Sequence, residues 1–580
     1  MNSRRIILRD AYKTFTLDQD KVLPPEQTVK KFKEKLKKLD SNILERTVRI
    51  DNGRLGIPVY VSICGADAKA VTGTAKQMGK GATPEQAEAS AVMELAERYS
   101  FFCFRMNQDN FFVDTFQNVK DKAISFELIA QSVHDESESL SITRTIFERL
   151  PLKWTAAFNL TRQEPVLIPF DWFFTINQFN GPSAGNCREE ALIQGICEVI
   201  ERHVSSLISE NRISVPSIRA ESATDPMVIE MLQKYKNTNI KLYLSDFTMN
   251  MGIPSVGALA YDPSTFPGKS EIVWTAGTTP SPQKALSRAL TEVAQLAGDF
   301  NTGSNYVASG LPKLKTLKAA EYIIRSAGNK DIADLPDLSD TNIKTEIERC
   351  VAVLSERGLE VIVVDTTHPL LQIPAFYTII PGAHFRERAS ATSVGLFSAK
   401  LIAENQNPQA AIENLEAFDR TLPGQYYTMF YLGTCHIAAG NLEKALSCLQ
   451  KAIALDPAEQ DIPSIYSYMG VCLKEMGKYR KAIEILKQGA AYDTERTDIY
   501  NLMGFCYFKL KKHMEAIECF KKVIALDSGS AIDYANIGSN YREMGETEKA
   551  IQYYELALGM DPSIDFAWKN LQKLKPKISI

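Results

Sequence analysis

From Gly424 to Leu574 the chain repeats itself at a fixed interval, which constrains its fold more than any other feature. Each copy reads as two helices joined by a turn such as Glu475–Lys478, and Pro457 or Pro562 stops the second helix. A period of this size predicts an all-α solenoid whose units pack only on their neighbours. The equivalent positions, 34 residues apart, are Gly470, Gly504 and Gly538; Ala482, Ala516 and Ala550; and Asp493, Asp527 and Asp561, with an earlier copy at Gly433, Ala445 and Asp456.

The period and the Gly, Ala and Asp-Pro positions resemble the tetratricopeptide repeat, with four copies and a closing helix. The resemblance implies a surface that binds peptides or proteins. Two uses remain open for this array: it could hold a substrate or partner enzyme, or it could serve dimerisation and scaffolding. The array carries no catalytic constellation, so the chemistry is expected upstream.

The composition excludes several classes of protein. The 580 residues are 45% hydrophobic and 23% charged, as in ordinary globular chains. A net charge of −4 gives no basic excess, so we expect no direct nucleic-acid partner. No apolar run is long enough to cross a membrane and the N-terminus does not read as a signal peptide, which predicts a cytoplasmic protein.

The cysteines and histidines predict no zinc centre. The ten cysteines form no Cys-x-x-Cys pair, and the six histidines are scattered without metal-ligand spacing. Several cysteines occupy apolar helix positions, which favours reduced, buried thiols.

The region before the repeats alternates strand-like and helical stretches. Runs such as Val59–Ile63 and Leu359–Val364 read as strands. We therefore predict an α+β domain with a mixed sheet over residues 1–405, a linker over 406–423 and the all-α repeat domain over 424–580.

A pattern of small residues and acids occurs three times in the α+β region. The small residues precede the first Glu by seven and three positions, and a Glu or Gln follows it by three, so all lie on one helical face. Glycine-containing stretches at 79–83, 183–186 and 276–279 precede the three copies. The copies hold Ala87, Ala91, Glu94, Glu97 and Arg98; Ala191, Gly195, Glu198, Glu201 and Arg202; and Ala285, Arg288, Ala289, Glu292 and Gln295.

A single Glu-x-x-Glu-Arg is usually a solvated helix face with an ion pair, and that interpretation stays open for any one copy. Three copies in the same frame favour a shared site. Clustered carboxylates need a balancing cation, and hard oxygen ligands suit Mg²⁺ bound to phosphates. Arg98, Arg202 and Arg288 could neutralise phosphate oxygens. The stretch Gly73–Gly81 imitates a phosphate-binding loop but has the wrong glycine spacing and no Ser or Thr at its end.

These ordered motifs resemble the YcaO family over residues 13 to 400. The resemblance implies a site for ATP and Mg²⁺ without a phosphate-binding loop and without a protein nucleophile. Matched by motif, the implied metal ligands are Glu94, Glu97, Glu198, Glu201 and Glu292. The implied ATP contacts are Ser183, Asn186, Gln194, Arg202, Arg288 and Gln295, together with Lys21 and Thr28 near the N-terminus.

The resemblance also implies an activity: ATP-dependent O-phosphorylation of a backbone amide in a peptide or protein substrate. The product would be a thioamide or an azoline, or the chain would be an accessory factor in ribosomal-protein methylthiolation. Repeats stand where azoline-forming relatives often carry a Pro-rich tail, which favours the accessory branch, with a partner modifying enzyme held by the repeats. We expect a homodimer. The alternative is a non-catalytic adaptor with a regulatory ATP site.

Overall fold

The computed structural model describes residues 5–14, 21–39, 41–303, 306, 308, 310–386, 392–527 and 529–575. The chain divides into two compact units. The first unit is Met1–Glu136 with Glu148–Thr392, and the second unit is Ser137–Phe147 with Ser393–Ile580.

Helices occur in both units. In chain order they are α1 Pro25–Leu36, α2 Ala66–Thr72, α3 Pro84–Met106, α4 Phe116–Val119, α5 Phe126–Ser132, α6 Leu140–Phe147, α7 Phe170–Asn177, α8 Arg188–Glu210, α9 Pro226–Asn237, α10 Pro282–Ala297, α11 Glu321–Ile324, α12 Ile343–Ser355, α13 Val394–Asn405, α14 Pro408–Thr421, α15 Tyr426–Ala438, α16 Leu442–Ala454, α17 Ile462–Glu475, α18 Tyr479–Tyr492, α19 Thr497–Lys509, α20 His513–Leu526, α21 Ala531–Glu543, α22 Thr547–Met560 and α23 Asp565–Leu574.

The strands described by the structure all belong to the first unit. They are β1 Leu44–Arg49, β2 Val59–Cys64, β3 Lys76–Lys80, β4 Phe112–Thr115, β5 Pro151–Asn159, β6 Glu164–Pro169, β7 Pro182–Ala184, β8 Ser217–Ile218, β9 Lys241–Asp246, β10 Ser255–Tyr261, β11 Val273–Thr278, β12 Asn329–Lys330, β13 Ile362–Asp365 and β14 Ala375–Ile379.

These strands form three sheets. The first has the order β1-β2-β3 and is antiparallel. The second has the order β11-β10-β9-β8-β12 and is mixed, because β12 runs parallel to β8. The third has the order β4-β5-β13-β14-β7, with β6 paired to β5, and is antiparallel. The expected α+β class is confirmed, and the two strand-like runs correspond to β2 and, with a later start, β13.

Three of the strands end their sheets and lead directly into long helices. These edge strands are β3, β7 and β11, followed by α3, α8 and α10. The N-terminus of α3 is fixed by a capping box between Thr83 and Gln86, with Pro84 at the first helical position. The stretch that imitates a phosphate-binding loop is therefore an edge strand followed by a helix cap.

An N-terminal segment is tied to distant parts of the first unit. The backbone N–H of Arg9 donates to Glu189 at 2.8 Å, and that of Val22 donates to Glu190 at 2.6 Å, both in the first turn of α8. The Lys13 ammonium pairs with the buried Glu346 of α12 at 2.5 Å.

The second unit is an array of helix pairs that buries one small residue at each crossing. A Cβ added at Gly470 would lie 2.4 Å from the Leu486 side chain, and one at Gly504 would lie 2.7 Å from the Phe520 ring. The predicted all-α repeat region is confirmed.

The boundary between the units differs from the predicted one. Residues 406–423, predicted as a linker, contain α14, because Pro408 begins the helix and the Asn407 side chain accepts the Ala410 N–H at 3.0 Å. Helix α13, which falls inside the predicted first domain of residues 1–405, lies in the second unit with α14. Apolar residues of α14 such as Leu415 are buried, so this stretch is part of the array rather than a connector.

Candidate functional site

The three copies of the acidic pattern share one strand-to-helix contact. In each copy a strand hydroxyl donates to a carbonyl of the acid-bearing helix. The strand directly precedes the helix in the second and third copies, whereas in the first copy it is β2, the neighbour of β3. The contacts are Ser62 to Ala91 at 2.9 Å, Ser183 to Ala191 at 2.7 Å and Thr275 to Ala289 at 3.0 Å. A repeated buried hydrogen bond of this kind fixes how far each helix lies from its sheet.

The framing glycines are required by close backbone approach. A Cβ at Gly79 would lie 2.1 Å from the Ala91 nitrogen. At Gly185 and Gly277 the corresponding Cβ would lie 2.6 Å from the nitrogens of Ala191 and Ala289. Because the obstructing atoms belong to helix backbone, no side chain can move aside. The small residues therefore set the position of each acid-bearing helix.

Each helix also packs against the edge strand of another copy. Helix α3 packs on β7, α8 packs on β11, and α10 packs on β3. A polar contact accompanies each packing, so the three copies form a closed ring. The contacts join Arg98 to the Phe179 carbonyl just before β7 at 3.2 Å, the Thr278 N–H of β11 to Glu201 at 3.2 Å, and Lys80 of β3 to Glu292 in an ion pair.

The centre of the ring holds buried acids interleaved with arginines. Arg98 lies 3.1 Å from Glu94 and 3.4 Å from Glu97. Arg202 lies 3.3 Å from Glu201 and 3.8 Å from Glu198. Only 8% of Glu97 and 6% of Glu201 is exposed, so two carboxylates are held almost out of contact with water.

Burial and neighbouring negative charges disfavour ionisation of these acids. Burial raises the pKa of Glu97 well above its usual range, and the neighbouring Glu94 raises it further. Burial likewise raises the pKa of Glu198, against the opposing effect of Arg202. Burial lowers the pKa of Lys80 to about 7, and Arg288 adds to this effect. The acids of α3 and α8 therefore repel one another electrostatically. A cation placed among them would stabilise their ionised forms.

The donor set fits Mg²⁺ and phosphate together. Carboxylate oxygens are hard ligands of the kind that Mg²⁺ takes. The Nε atoms of Arg202 and Arg288 are buried and have no hydrogen-bond partner among the described residues, so each can donate to an anion. No three His, Cys, Asp or Glu side chains in the described part of the chain converge as a ready metal centre. The carboxylates are paired with Arg and Lys instead.

The expected nucleotide contacts lie in two groups. In the first, Gln194 accepts from Arg288 at 2.6 Å, and Gln295 lies on α10 three residues after Glu292. In the second, the Asn186 amide donates to the Thr28 hydroxyl at 2.9 Å, beside a cleft between α1 and the start of α8.

The remaining predicted contacts are Lys21 and Ser183. Lys21 immediately precedes Val22, whose backbone is bound by Glu190. Ser183 is fully buried, and its hydroxyl donates to the Ala191 carbonyl. The structure therefore supports a packing role for this side chain.

Two lysines near these groups were missed in the sequence. Lys80 pairs with Glu292, and the Lys31 ammonium donates to the Asn186 carbonyl at 3.0 Å. The signal for Lys80 lay in the glycine-rich stretch dismissed as a false phosphate-binding loop. Lys31 carries no signal, because a lysine-rich helix such as α1 is ordinarily a solvated face.

In the part of the chain that the structure describes, no helix combines the length and apolar character needed to cross a bilayer.

Comparison with known proteins supports both units. The profile described as YcaO cyclodehydratase, ATP- and Mg²⁺-binding, matches residues 78–384, and tetratricopeptide-repeat profiles match 426–459 and 495–563. An uncharacterized protein of Methanothermobacter thermautotrophicus is 29% identical over 380 residues, which cover 62% of this chain and 93% of that protein.

One further sequence relative and one solved structure also resemble this chain. The ribosomal protein S12 methylthiotransferase accessory factor YcaO of Escherichia coli is 28% identical over 38% of this chain and 39% of its own length. A solved heterocyclase in complex with substrate and cofactor superposes with a TM-score of 0.54 at 23% identity, covering 66% of this chain and 55% of its own, which shows a shared fold. The family profile spans more than half of the chain and includes all three acid-bearing helices. The chain belongs to the YcaO family, whose cofactors are ATP and Mg²⁺.

Proposed function

We propose that this chain uses ATP to activate a backbone amide of a peptide or protein by phosphorylating its oxygen. The observation that carries the proposal is the closed ring of acids and arginines, in a chain of an ATP- and Mg²⁺-binding family. The further product would be a thioamide or an azoline, or the chain would act as an accessory factor in methylthiolation of a ribosomal protein.

The reaction is balanced without a protein nucleophile. The amide oxygen takes the terminal phosphoryl group of ATP, and ADP leaves. An external sulfide, or a neighbouring Cys, Ser or Thr side chain of the substrate, then adds to the amide carbon, and inorganic phosphate departs with the original oxygen. The protein contributes positioning and charge stabilisation, which dominate phosphoryl transfer in general.

Each part of the ring has a role in this scheme. Glu94, Glu97, Glu198, Glu201 and Glu292 would hold Mg²⁺, which neutralises the charge of the phosphate oxygens when bound. The unpartnered Nε atoms of Arg202 and Arg288 would donate to phosphate oxygens. The low exposure of Glu97 and Glu201 means that little water would compete for their carboxylate oxygens.

Binding of a non-hydrolysable ATP analogue with Mg²⁺, measured by calorimetry, tests the site. Glu198→Gln and Glu292→Gln should each abolish detectable binding, because each removes a charge that faces the cation. Glu210→Gln is the matched control, because Glu210 lies at the exposed end of the same helix as Glu198. Unchanged binding in both ring variants would refute the site.

The product is tested by mass spectrometry of peptides and ribosomal proteins from cells with and without this chain. An oxygen-to-sulfur exchange, a loss of water or an added methylthio group would each select one branch. No mass difference together with no ADP release would contradict amide activation.

The helical repeats favour a second candidate, an adaptor that recruits a modifying enzyme and uses ATP only for regulation. The Glu198→Gln variant should affect the two candidate functions differently. Glu198→Gln would leave partner recruitment intact in an adaptor, whereas amide activation would be lost in an enzyme.

A further inference from the structure

The turn between the two helices of a repeat differs sharply in charge from one copy to another. In the second and third copies the turns carry Lys478 and Lys512 at the same position. The first and fourth copies have Asn441 and Glu546 there. All four turns join the same kind of helix pair, so folding alone does not demand lysine at this position.

The third copy carries a further lysine, Lys511, at a conformational cost. The residue after the first helix of each repeat adopts a left-handed backbone, with φ of 75° at Gly440, 72° at Gly477 and 81° at Gly545. In the third repeat the same position is Lys511, with φ of 58°. A side chain is disfavoured in this conformation, whereas glycine adopts it freely. A lysine in place of glycine therefore indicates a use for its charge.

Two lysines at the ends of helices beside these turns lie over an exposed aromatic ring. Phe505 of α19 is 38% exposed. The ammonium groups of Lys474 and Lys509 lie 5.1 and 5.3 Å from the centre of its ring, and the Tyr479 ring meets it edge-on at 6.5 Å. Two cations and one apolar face are thus presented side by side.

The charge of this surface is poorly compensated. Lys474 pairs with Glu475 at 2.6 Å and Lys512 pairs with Glu515 at 3.8 Å. Lys478, Arg480, Lys509 and Lys511 have no carboxylate partner among the residues that the structure describes. We call Phe505 with Lys474 and Lys509 the cationic patch, together with Lys478 and Arg480, which flank Tyr479, and Lys511, which follows Lys509 by two residues. Cations beside an apolar ring are complementary to carboxylates flanking an apolar side chain.

We propose that the cationic patch binds an acidic segment of a partner protein, with an apolar side chain of that segment against Phe505. The repeats share a fold, so the charged turns of the second and third copies select the partner. A polypeptide is favoured over a nucleic acid because the patch offers one exposed ring rather than a series of stacking platforms, and the whole chain is acidic. The proposal is independent of amide activation.

Fluorescence anisotropy with the full-length chain tests this proposal. The probe is a labelled peptide of alternating Asp and Glu around one Leu, and its counterpart replaces each acid by Asn or Gln. We expect the acidic probe to bind, to weaken as salt is raised, and to bind at least about tenfold more weakly to the Lys474→Glu, Lys509→Glu double variant. The amide counterpart should not bind.

Three variants complete the test. Phe505→Ala should weaken binding, whereas Phe566→Ala, which removes a ring of similar exposure (37%) from α23, should not. Lys511→Gly should weaken binding while raising the unfolding midpoint of the repeats, so lost binding could not be ascribed to misfolding. Equal binding by all variants, or tighter binding of a single-stranded oligonucleotide at this patch, would overturn the proposal. Calorimetry with the ATP analogue on the same samples shows separately whether the nucleotide site is intact.

Discussion

The two units both repeat a small-residue contact, but they connect their copies differently. In the first unit three copies close into a ring, because α3, α8 and α10 each pack on the edge strand of another copy. In the second unit the helix pairs follow one another in an open array, each pair packing mainly on its sequence neighbours. In a ring every copy packs on two other copies, whereas the end copies of an open array pack on one.

The obstructing atoms differ as well. A methyl group at Gly79 meets helix backbone, whereas one at Gly504 meets the ring of Phe520. Backbone inside a helix cannot yield without breaking the helix, but a side chain can turn. We therefore expect lesions in the ring to spread across the unit and lesions in the array to stay local.

The largest effect is expected for Gly79→Ala. Its Cβ would lie 2.1 Å from the Ala91 nitrogen, so α3 must leave its sheet, and we expect a loss of more than about 3 kcal/mol together with loss of ATP-analogue binding. Tryptophan emission during urea unfolding reports this, since Trp154, Trp172 and Trp274 are buried in the first unit. Gly268→Ala is the control, because its Cβ would have no close neighbour. A change of under about 1 kcal/mol at Gly79 would contradict the ring.

A smaller and local effect is expected for Gly504→Ala. The Phe520 ring must turn to admit a Cβ at 2.7 Å, at a cost of about 1–2 kcal/mol. Hydrogen exchange should lose protection in α19 and its neighbours, with the first unit unchanged. Gly538→Ala should cost less, because the Tyr554 ring is 3.0 Å away. An equal loss of hydrogen-exchange protection in all helices of the array would contradict the expected difference between the array and the ring.

A gain in stability is expected for Glu97→Gln without nucleotide. Burial and Glu94 disfavour the ionised form of Glu97, so a neutral amide of the same shape should stabilise the first unit by about 1 kcal/mol while ATP-analogue binding is lost. Thermal unfolding with and without the analogue measures both changes. A lower midpoint in the nucleotide-free protein would show that the carboxylate is stabilising there.

The smallest effects are expected for the three strand hydroxyls that donate to carbonyls of α3, α8 and α10. Ser62→Ala, Ser183→Ala and Thr275→Val each remove one buried donor, and each should cost about 0.5–1.5 kcal/mol. Similar costs, measured by urea unfolding, would support equivalence of the three copies. One variant that costs far more than the others would show that the copies are unequal.

The sequence was sufficient to predict both fold classes and the three helices of the site. Spacing alone placed Glu94, Glu198 and Glu292 in one frame, because a helix converts sequence offsets into a shared face. The ring could not be predicted, since the packing of α10 on β3 joins residues about 200 apart in sequence and leaves no periodic signal. Helix α14 was missed because a short Asn-Pro start after a helix reads as a connector.

The N-terminal segment has a consequence for how the protein is made. Two of its contacts require residues that the ribosome adds much later: Ala11 donates to Asn342, 331 positions downstream, and Lys13 pairs with Glu346. The segment therefore cannot complete its docking until most of the first unit has been translated. Contacts of such sequence separation form slowly and leave partly folded chains exposed. We infer that this unit completes its folding only after α12, β13 and β14 have left the ribosome.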